Sequence, residues 1–330
     1  MVNSEKVTNI NPDIEELDNY LTKEGIVPFL DHPNLVANKK IPKYYRAYYT
    51  LQAVISDYQR GIITEEHILI LKALGDAICC SEEHLRRVFT NKLTRSQVSK
   101  LLDQLSTHDY VQRYRISVRG EEEDYPNYSR IFVLGIAGKL LMEHFYSGIS
   151  TFMSPERFHG NNGISLMQRY IALNDLRTAF IEERVASKWL WGGSIIGGNS
   201  FNKASAAVEI SVPQGEINFF IERAQMKQDF IGFFKNKLAK WQFVYGKQNG
   251  LKIRGFPDNP TYVVLYVSTL SMAQAIHREV MIDTFPFHVW FCVEEEFVTK
   301  GLAKSFYRAD KDKLKRLYLS FLDVNQAVVE

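Results

Sequence analysis

TEEHILILKALGDAICCSEEHLRRVFTNKLTRSQVSKLLDQLST, residues 64–107, carries three helix starts in succession. Thr64 is followed by Glu65 and Glu66, acids that the positive end of a helix dipole favours in the first turn. Ile68, Leu71, Leu74 and Ile78 then recur at helical spacing. Ser81 heads a second, short helix, with Glu82 and Glu83 behind it and Leu85, Val88 and Phe89 facing inward. Thr94 and Gln97 make a Thr-x-x-Gln capping box for a third helix, whose apolar stripe is Val98, Leu101, Leu102 and Leu105. Beyond it, Tyr114, Ile116 and Val118 alternate with Arg113, Arg115 and Ser117, the period of a strand. A polar tip from Arg119 to Asn127 leads to a returning strand, Tyr128 to Leu134, and a closing helix from Ile136 to about Tyr146. Three helices with a tight middle one, then a hairpin, is the order of a winged helix-turn-helix.

In that fold the second helix of the motif enters the major groove by its N-terminal part. Here it begins at Thr94. With Val98 turned to the core, Ser96, Lys100, Asp103 and Thr107 point away from it, and Arg95 and Ser99 lie at the flank. These types can hydrogen-bond base edges or phosphates, and Lys92, just before the cap, can hold a phosphate. From Arg86 to Arg119 there are eight Lys or Arg and two acids, so Arg113 and Arg115 on the strand extend the basic face. The expected partner is double-stranded DNA. A solvated basic face on a protein-interaction module is the alternative. The acids Glu121, Glu122, Glu123 and Asp124 at the wing tip oppose deep insertion of the wing.

Outward from this block the signals are weaker. The expected organisation is a lead-in over 1–60, a winged helix over 61–147, a Gly/Ser/Asn/Pro linker over 148–165 and a mixed α/β domain over 166–330. In the lead-in, Asp13 to Leu21 reads as a short helix, Pro28 to Pro42 as an extended connector and Lys43 to Tyr58 as a helix. After a helix from Leu166 to about Lys188, a hairpin (Ala206–Val212, Ile217–Glu222) precedes alternating helices and strands. These are a helix Asp229–Tyr245, a strand Tyr262–Ser268, a helix Met272–Asp283, a strand Phe287–Val293 and a last, basic helix Asp310–Leu322. Forty Lys and Arg against 38 Asp and Glu give +2, so global charge does not select a polyanion partner. Cys79, Cys80 and Cys292 fit neither a disulfide framework nor a zinc site. No apolar run reaches the roughly 20 residues of a membrane span, and a cytoplasmic protein is expected. WGGSIIGGN (191–199) lacks the Gly-Lys-Ser/Thr of a phosphate loop.

The layout, together with YIALNDLRTAF (170–180), NFFIE (218–222), KNKLAKW (235–241) and YVVLYVS (262–268), resembles the replication-relaxation family, which includes C-class mobilisation relaxases of plasmids and integrative elements. The resemblance implies an N-terminal winged helix and a C-terminal domain like a degenerate restriction endonuclease. It further implies a DNA-binding role in replication, conjugative transfer or its regulation, with other transfer proteins as partners and a homodimer left open. In nuclease-type members an Asp on one strand and a Glu-x-Asp or Glu-x-Lys on the next hold a metal ion, since a divalent cation must be fixed by carboxylates while a nearby cation stabilises charge on the phosphate. Glu222 matches; two residues on stands Ala224. Glu209 on the adjacent strand is the substitute, and Lys227 or Lys237 the cation. Mg2+ or Mn2+ is implied only for the nuclease alternative; no other cofactor is expected. A separate run, Arg223 to Arg254, has eight basic residues against Asp229 alone, interleaved with Trp241, Phe243 and Tyr245, and such a mixture can bind single strands.

Overall fold

A computed structural model of the chain describes residues 20–120, 128–147, 152–198, 202–226 and 229–323. They make a mixed α+β protein with nine α-helices and two sheets among the described residues. Two compact units result: residues 34–182 form one, and residues 20–33 join 183–323 in the other. The division therefore falls at neither the expected 148–165 linker nor residue 60.

The first unit contains β1 (Leu35–Lys40), α1 (Leu51–Gln59), α2 (Glu65–Ala77), β2 (Cys79–Ser81), α3 (Glu82–Val88), α4 (Arg95–Thr107), β3 (Val111–Val118), β4 (Ile131–Leu134), α5 (Ile136–Phe145) and α6 (Asn161–Glu182). Its four strands run antiparallel in the order β1-β3-β4-β2. Helices α2, α3 and α4 all start on reciprocal caps. The Thr94 amide donates to Gln97 Oε1 at 2.8 Å and the Gln97 amide to Thr94 Oγ1 at 3.2 Å. The Thr64 and Ser81 amides donate to the Nδ1 atoms of His67 and His84, each at 3.1 Å. An accepting Nδ1 puts the ring proton on Nε2. His67 Nε2 thus meets Gln104 Oε1 of α4 at 3.2 Å, and His84 Nε2 meets Asp175 Oδ1 of α6 at 2.6 Å. Both histidines cap one helix and fasten it to another.

Leu71, Leu74, Val98, Leu102, Leu105 and Phe132 are fully buried together in the core of this unit. Close backbone approach fixes α5: a Cβ on Gly138 would lie 2.0 Å from the Tyr110 carbonyl oxygen, and one on Gly135 2.0 Å from that of Asp109. Helix α6 belongs here, not with the C-terminal half. Asn174 Nδ2 donates to the carbonyls of Ala77 (2.8 Å) and Cys79 (2.9 Å), and Arg87 pairs with Glu182.

The expected helix over 43–58 shortens to α1, which Thr50 caps through the Ala53 amide. The tyrosine-rich stretch before it instead uses its amides on α4, Arg46 to the Thr107 carbonyl and Tyr48 to that of His108. Residues 13–19 of the expected N-terminal helix, and the acidic tip 121–124, lie outside the described residues.

The second unit contains β5 (Ala186–Trp191), β6 (Ala206–Val212), β7 (Gly215–Arg223), α7 (Phe230–Gln248), β8 (Thr261–Val267), α8 (Leu270–Val280), β9 (Val289–Val293), α9 (Glu294–Lys300), β10 (Phe306–Asp310) and β11 (Lys313–Leu317). The strands order as β11-β10-β9-β8-β7-β6-β5. The central pairs β7/β8 and β8/β9 are parallel and the rest antiparallel. Parallel neighbours need crossovers, which α7 and α8 supply. Phe220, Phe234, Leu238, Trp241, Leu265 and Ile276 fill the core beneath these helices.

Two segments differ from expectation. Residues 186–191 form an edge strand instead of extending the preceding helix. The expected helix 310–322 is largely a hairpin, with Asp310 paired to Lys313 and Lys311 at φ +55°. Its second strand lies at the sheet edge, where exposed Lys313 and Lys315 discourage pairing with another chain.

Candidate nucleic-acid interface

The N-terminal half of α4 is set by its cap and its stripe. Leu93, Val98, Leu101 and Leu102 are buried, so the helix can turn only one side outward. Lys92, Arg95, Ser96, Gln97, Lys100 and Asp103 are exposed on that side. Lys92, Arg95, Ser96 and Lys100 thus all stand at the surface.

Ser99 is different. Its hydroxyl donates to Glu82 Oε1 at 2.5 Å and accepts from Arg86 Nη2 at 2.7 Å, so it locks α4 against α3. Glu82 is buried beneath this contact and also meets Arg130 Nε at 2.5 Å; Arg130 in turn pairs with Asp103. Arg113 and Arg115 are half-buried on β3. Burial, then the nearby Arg130, lowers the Arg113 pKa. Arg115 sits opposite Asn38 of β1, a strand the sequence reading did not provide.

Charge on this face is more balanced than the sequence count suggests. Arg86 pairs with Glu82, Arg87 with Glu182, and Arg95 clasps Glu83 through Nη1–Oε1 (2.9 Å) and Nη2–Oε2 (2.5 Å). That hydrogen bond to Arg95 holds the Glu83 carboxyl below its ordinary pKa. The Arg95 side chain is 65% exposed, however, and water screens an exposed pair so that it is held only weakly. A phosphate can therefore compete for it.

The carboxylates proposed for metal do not converge. Glu222 is the buried next-to-last residue of β7; Ser205 Oγ bonds its Oε1, and Lys237 Nζ lies 2.9 Å from Oε2 without a well-aligned hydrogen bond. So Glu222 and Lys237 are neighbours. Glu209 is opposite Asn218, four residues along β7 from Glu222, roughly 13 Å at strand spacing. Its carboxylate is held by Ser187 (2.7 Å) and Asn259 (3.3 Å). No group of three or more His, Cys, Asp or Glu suited to a metal ion occurs among the described residues. A nuclease-type Mg2+ or Mn2+ site at Glu222 and Glu209 does not fit this register. Lys227 lies outside the described residues.

In the basic run 223–254, Trp241 is core, Tyr245 packs partly against it, and Phe243 alone of the three is largely exposed. Arg223 is buried at the carboxyl end of β7. Its Nη1 lies 2.7 Å from Glu294 Oε2, its Nη2 3.9 Å from Asp31 Oδ2, and the Tyr266 ring 4.8 Å from its Cζ. Burial alone would lower its pKa; Glu294 and Asp31 outweigh that and keep it charged. Asp31 also accepts from Ser268 Oγ and, at 3.3 Å, from the Met226 amide. The strap 20–33 is tied down further where Thr269 and Ser271 donate to the Tyr20 and Leu21 carbonyls and Lys23 pairs with Glu296. Sequence reasoning missed this centre because its members are far apart along the chain.

The three cysteines are free and buried, with burial pushing Cys80 and Cys292 up to about 12. No helix among the described residues is long and apolar enough to cross a membrane. No protein-family model matches the chain, and no curated protein or solved structure matches it significantly.

Proposed function

We propose that residues 34–182 are a winged helix-turn-helix that binds duplex DNA, with α4 as its recognition helix. The chain then acts in replication, conjugative transfer or its regulation on a plasmid or other mobile element. That context comes from the resemblance to the replication-relaxation family, and with it the reading of the second unit as a degenerate restriction-endonuclease-like domain. The observation that carries the DNA reading is the state of α4: capped at Thr94, its apolar stripe buried, and Lys92, Arg95, Ser96 and Lys100 exposed along one side of its first turns. In this reading Arg95 exchanges Glu83 for a phosphate or base edge, Lys100 makes a second contact and Lys92 anchors the backbone. Ser99, bonded to Glu82 and Arg86, sets the helix against α3, and Arg113 and Arg115 on β3 extend the basic face.

The test is selection of duplexes from a random pool by the full chain, followed by titration of the selected sequence. Arg95→Ala and Lys100→Ala should each cost roughly 1–3 kcal/mol of specific binding, and Lys92→Ala should lower the salt dependence by about one phosphate. Unchanged affinity in the first two variants, or no enriched duplex, would remove α4 from this role.

A further inference from the structure

We propose that residues 39–51, KKIPKYYRAYYTL, form a second nucleic-acid surface, a stacking platform for an unpaired strand. The proposal rests on the nucleic-acid reading of the same unit and extends it to a different ligand. Between His32 and Ser56 the sequence holds no acidic residue and four cations, Lys39, Lys40, Lys43 and Arg46, of which Lys39 lies 3.8 Å from the buried Asp109 carboxylate and the other three are exposed. Four tyrosines are interleaved with them, and the structure divides these into two kinds.

Tyr45 and Tyr48 turn inward and hold the segment. Tyr45 donates its hydroxyl to Asp109 Oδ1 at 2.9 Å, and the Tyr48 ring stacks on His108 at 4.5 Å and 6°. The Arg46 and Tyr48 amides bond the Thr107 and His108 carbonyls, and His108 Nδ1 donates to the Arg46 carbonyl at 3.0 Å. The backbone is thereby fixed, without being helical, against the C-terminal end of α4.

Tyr44 and Tyr49 turn outward, 77% and 69% exposed, and Ile41, earlier in the same segment, is 66% exposed. Lys40, Lys43 and Arg46 are exposed among them, and Lys43 Nζ lies 5.4 Å from the Tyr44 ring centroid. Three large exposed groups within nine residues of one fixed segment offer contact area. Lys40, Lys43 and Arg46, exposed with no acid between them along the chain, favour a polyanion as the contact. Flat rings between cations suit bases with free faces, because aromatic stacking on successive bases tolerates any sequence. In a duplex those faces are covered by the neighbouring pairs, so the rings favour a single strand. Basic residues and tyrosines can also meet an anionic membrane, but interfacial binding usually draws on an amphipathic helix with a deep apolar face, and this stretch is largely non-helical.

The test uses the full chain, fluorescein-labelled oligo(dT), a duplex of the selected sequence and anionic phospholipid vesicles, read by anisotropy and co-sedimentation. Tyr44→Ala with Tyr49→Ala should weaken oligo(dT) binding by about tenfold or more. Tyr44→Phe with Tyr49→Phe, which keeps the rings, should stay within about twofold of the parent, and duplex binding should change little in either. Arg95→Ala with Lys100→Ala should do the reverse, so that loss of the duplex result alone sinks the recognition helix and not the platform. Oligo(dT) affinity equal in parent and Ala pair, no oligo(dT) binding at low salt, or a ring-dependent response seen only with vesicles would each overturn the proposal.

Discussion

The outer side of α4 and the buried centre at the end of β7 use the same chemistry, guanidinium against carboxylate, in opposite surroundings. Arg95 clasps Glu83 in water, where the pair is weak and exchangeable. Arg223 meets Glu294 and Asp31 where none of the three is well solvated; there a lost partner leaves a charge with no solvent to turn to. The first arrangement can give up its partner to a ligand. The second holds the strap 20–33 against the sheet. Charge type alone therefore says little about role; dielectric setting decides it.

Arg223→Met should break this contrast most visibly. It strands Asp31 and Glu294, and urea unfolding should show a loss of roughly 3–5 kcal/mol. A loss under 1 kcal/mol would mean that water reaches the centre and that the two regions differ less than described.

Acid should separate the two units next. Burial lowers the His67 pKa, so its neutral, cap-accepting form is favoured by folding. That stability is complete above histidine's ordinary pKa and is lost as pH falls below it. For Glu296 burial pushes the pKa up, but Lys23, Lys300 and Arg316 outweigh it and the net shift is down. Its contribution is present above the ordinary carboxylate pKa and disappears only as pH falls through that lower range. Amide exchange on lowering the pH should therefore rise first in peptides of α2 and α4 and later in the strap and α9. The reverse order would refute the assignment.

The smallest effect lies on the exposed side. Glu83→Gln should change stability by less than about 1 kcal/mol and, by freeing Arg95, raise duplex affinity by up to about fivefold. A weakened affinity would show that Glu83 positions Arg95 for its ligand instead of competing with it.

What the sequence revealed followed the range of the interactions. The starts at Thr64, Ser81 and Thr94 were legible because a cap acts within four residues, and the stripe Val98–Leu105 because helical period is local. The hairpin β6–β7 and the alternation after it were legible for the same reason. Register was not: whether Glu209 reaches Glu222 depends on where two strands align, and a few residues of offset put them out of reach. The ion pair Arg95–Glu83 and the lock at Ser99 need the angle between α3 and α4, which no local pattern encodes. The tail 310–322 misled because DKDKLKRL satisfies a charged helix as well as a charged edge strand, and only the turn at Lys311 and the neighbouring β9 choose. The outward rings of Tyr44 and Tyr49 were hidden in a stretch read as helix.

The strap has a consequence for biogenesis. Its Asp31 is bonded by Ser268, 237 residues further along the chain. At translation speeds of about 5–20 residues per second, its acceptor site emerges roughly 10–50 s after it. The inserted unit, whose strands and helices all lie between 34 and 182, has every one of its own partners available in that interval. It is positioned to mature first on the ribosome, while the amino-terminal piece waits, unclaimed, for the closing sheet to be made.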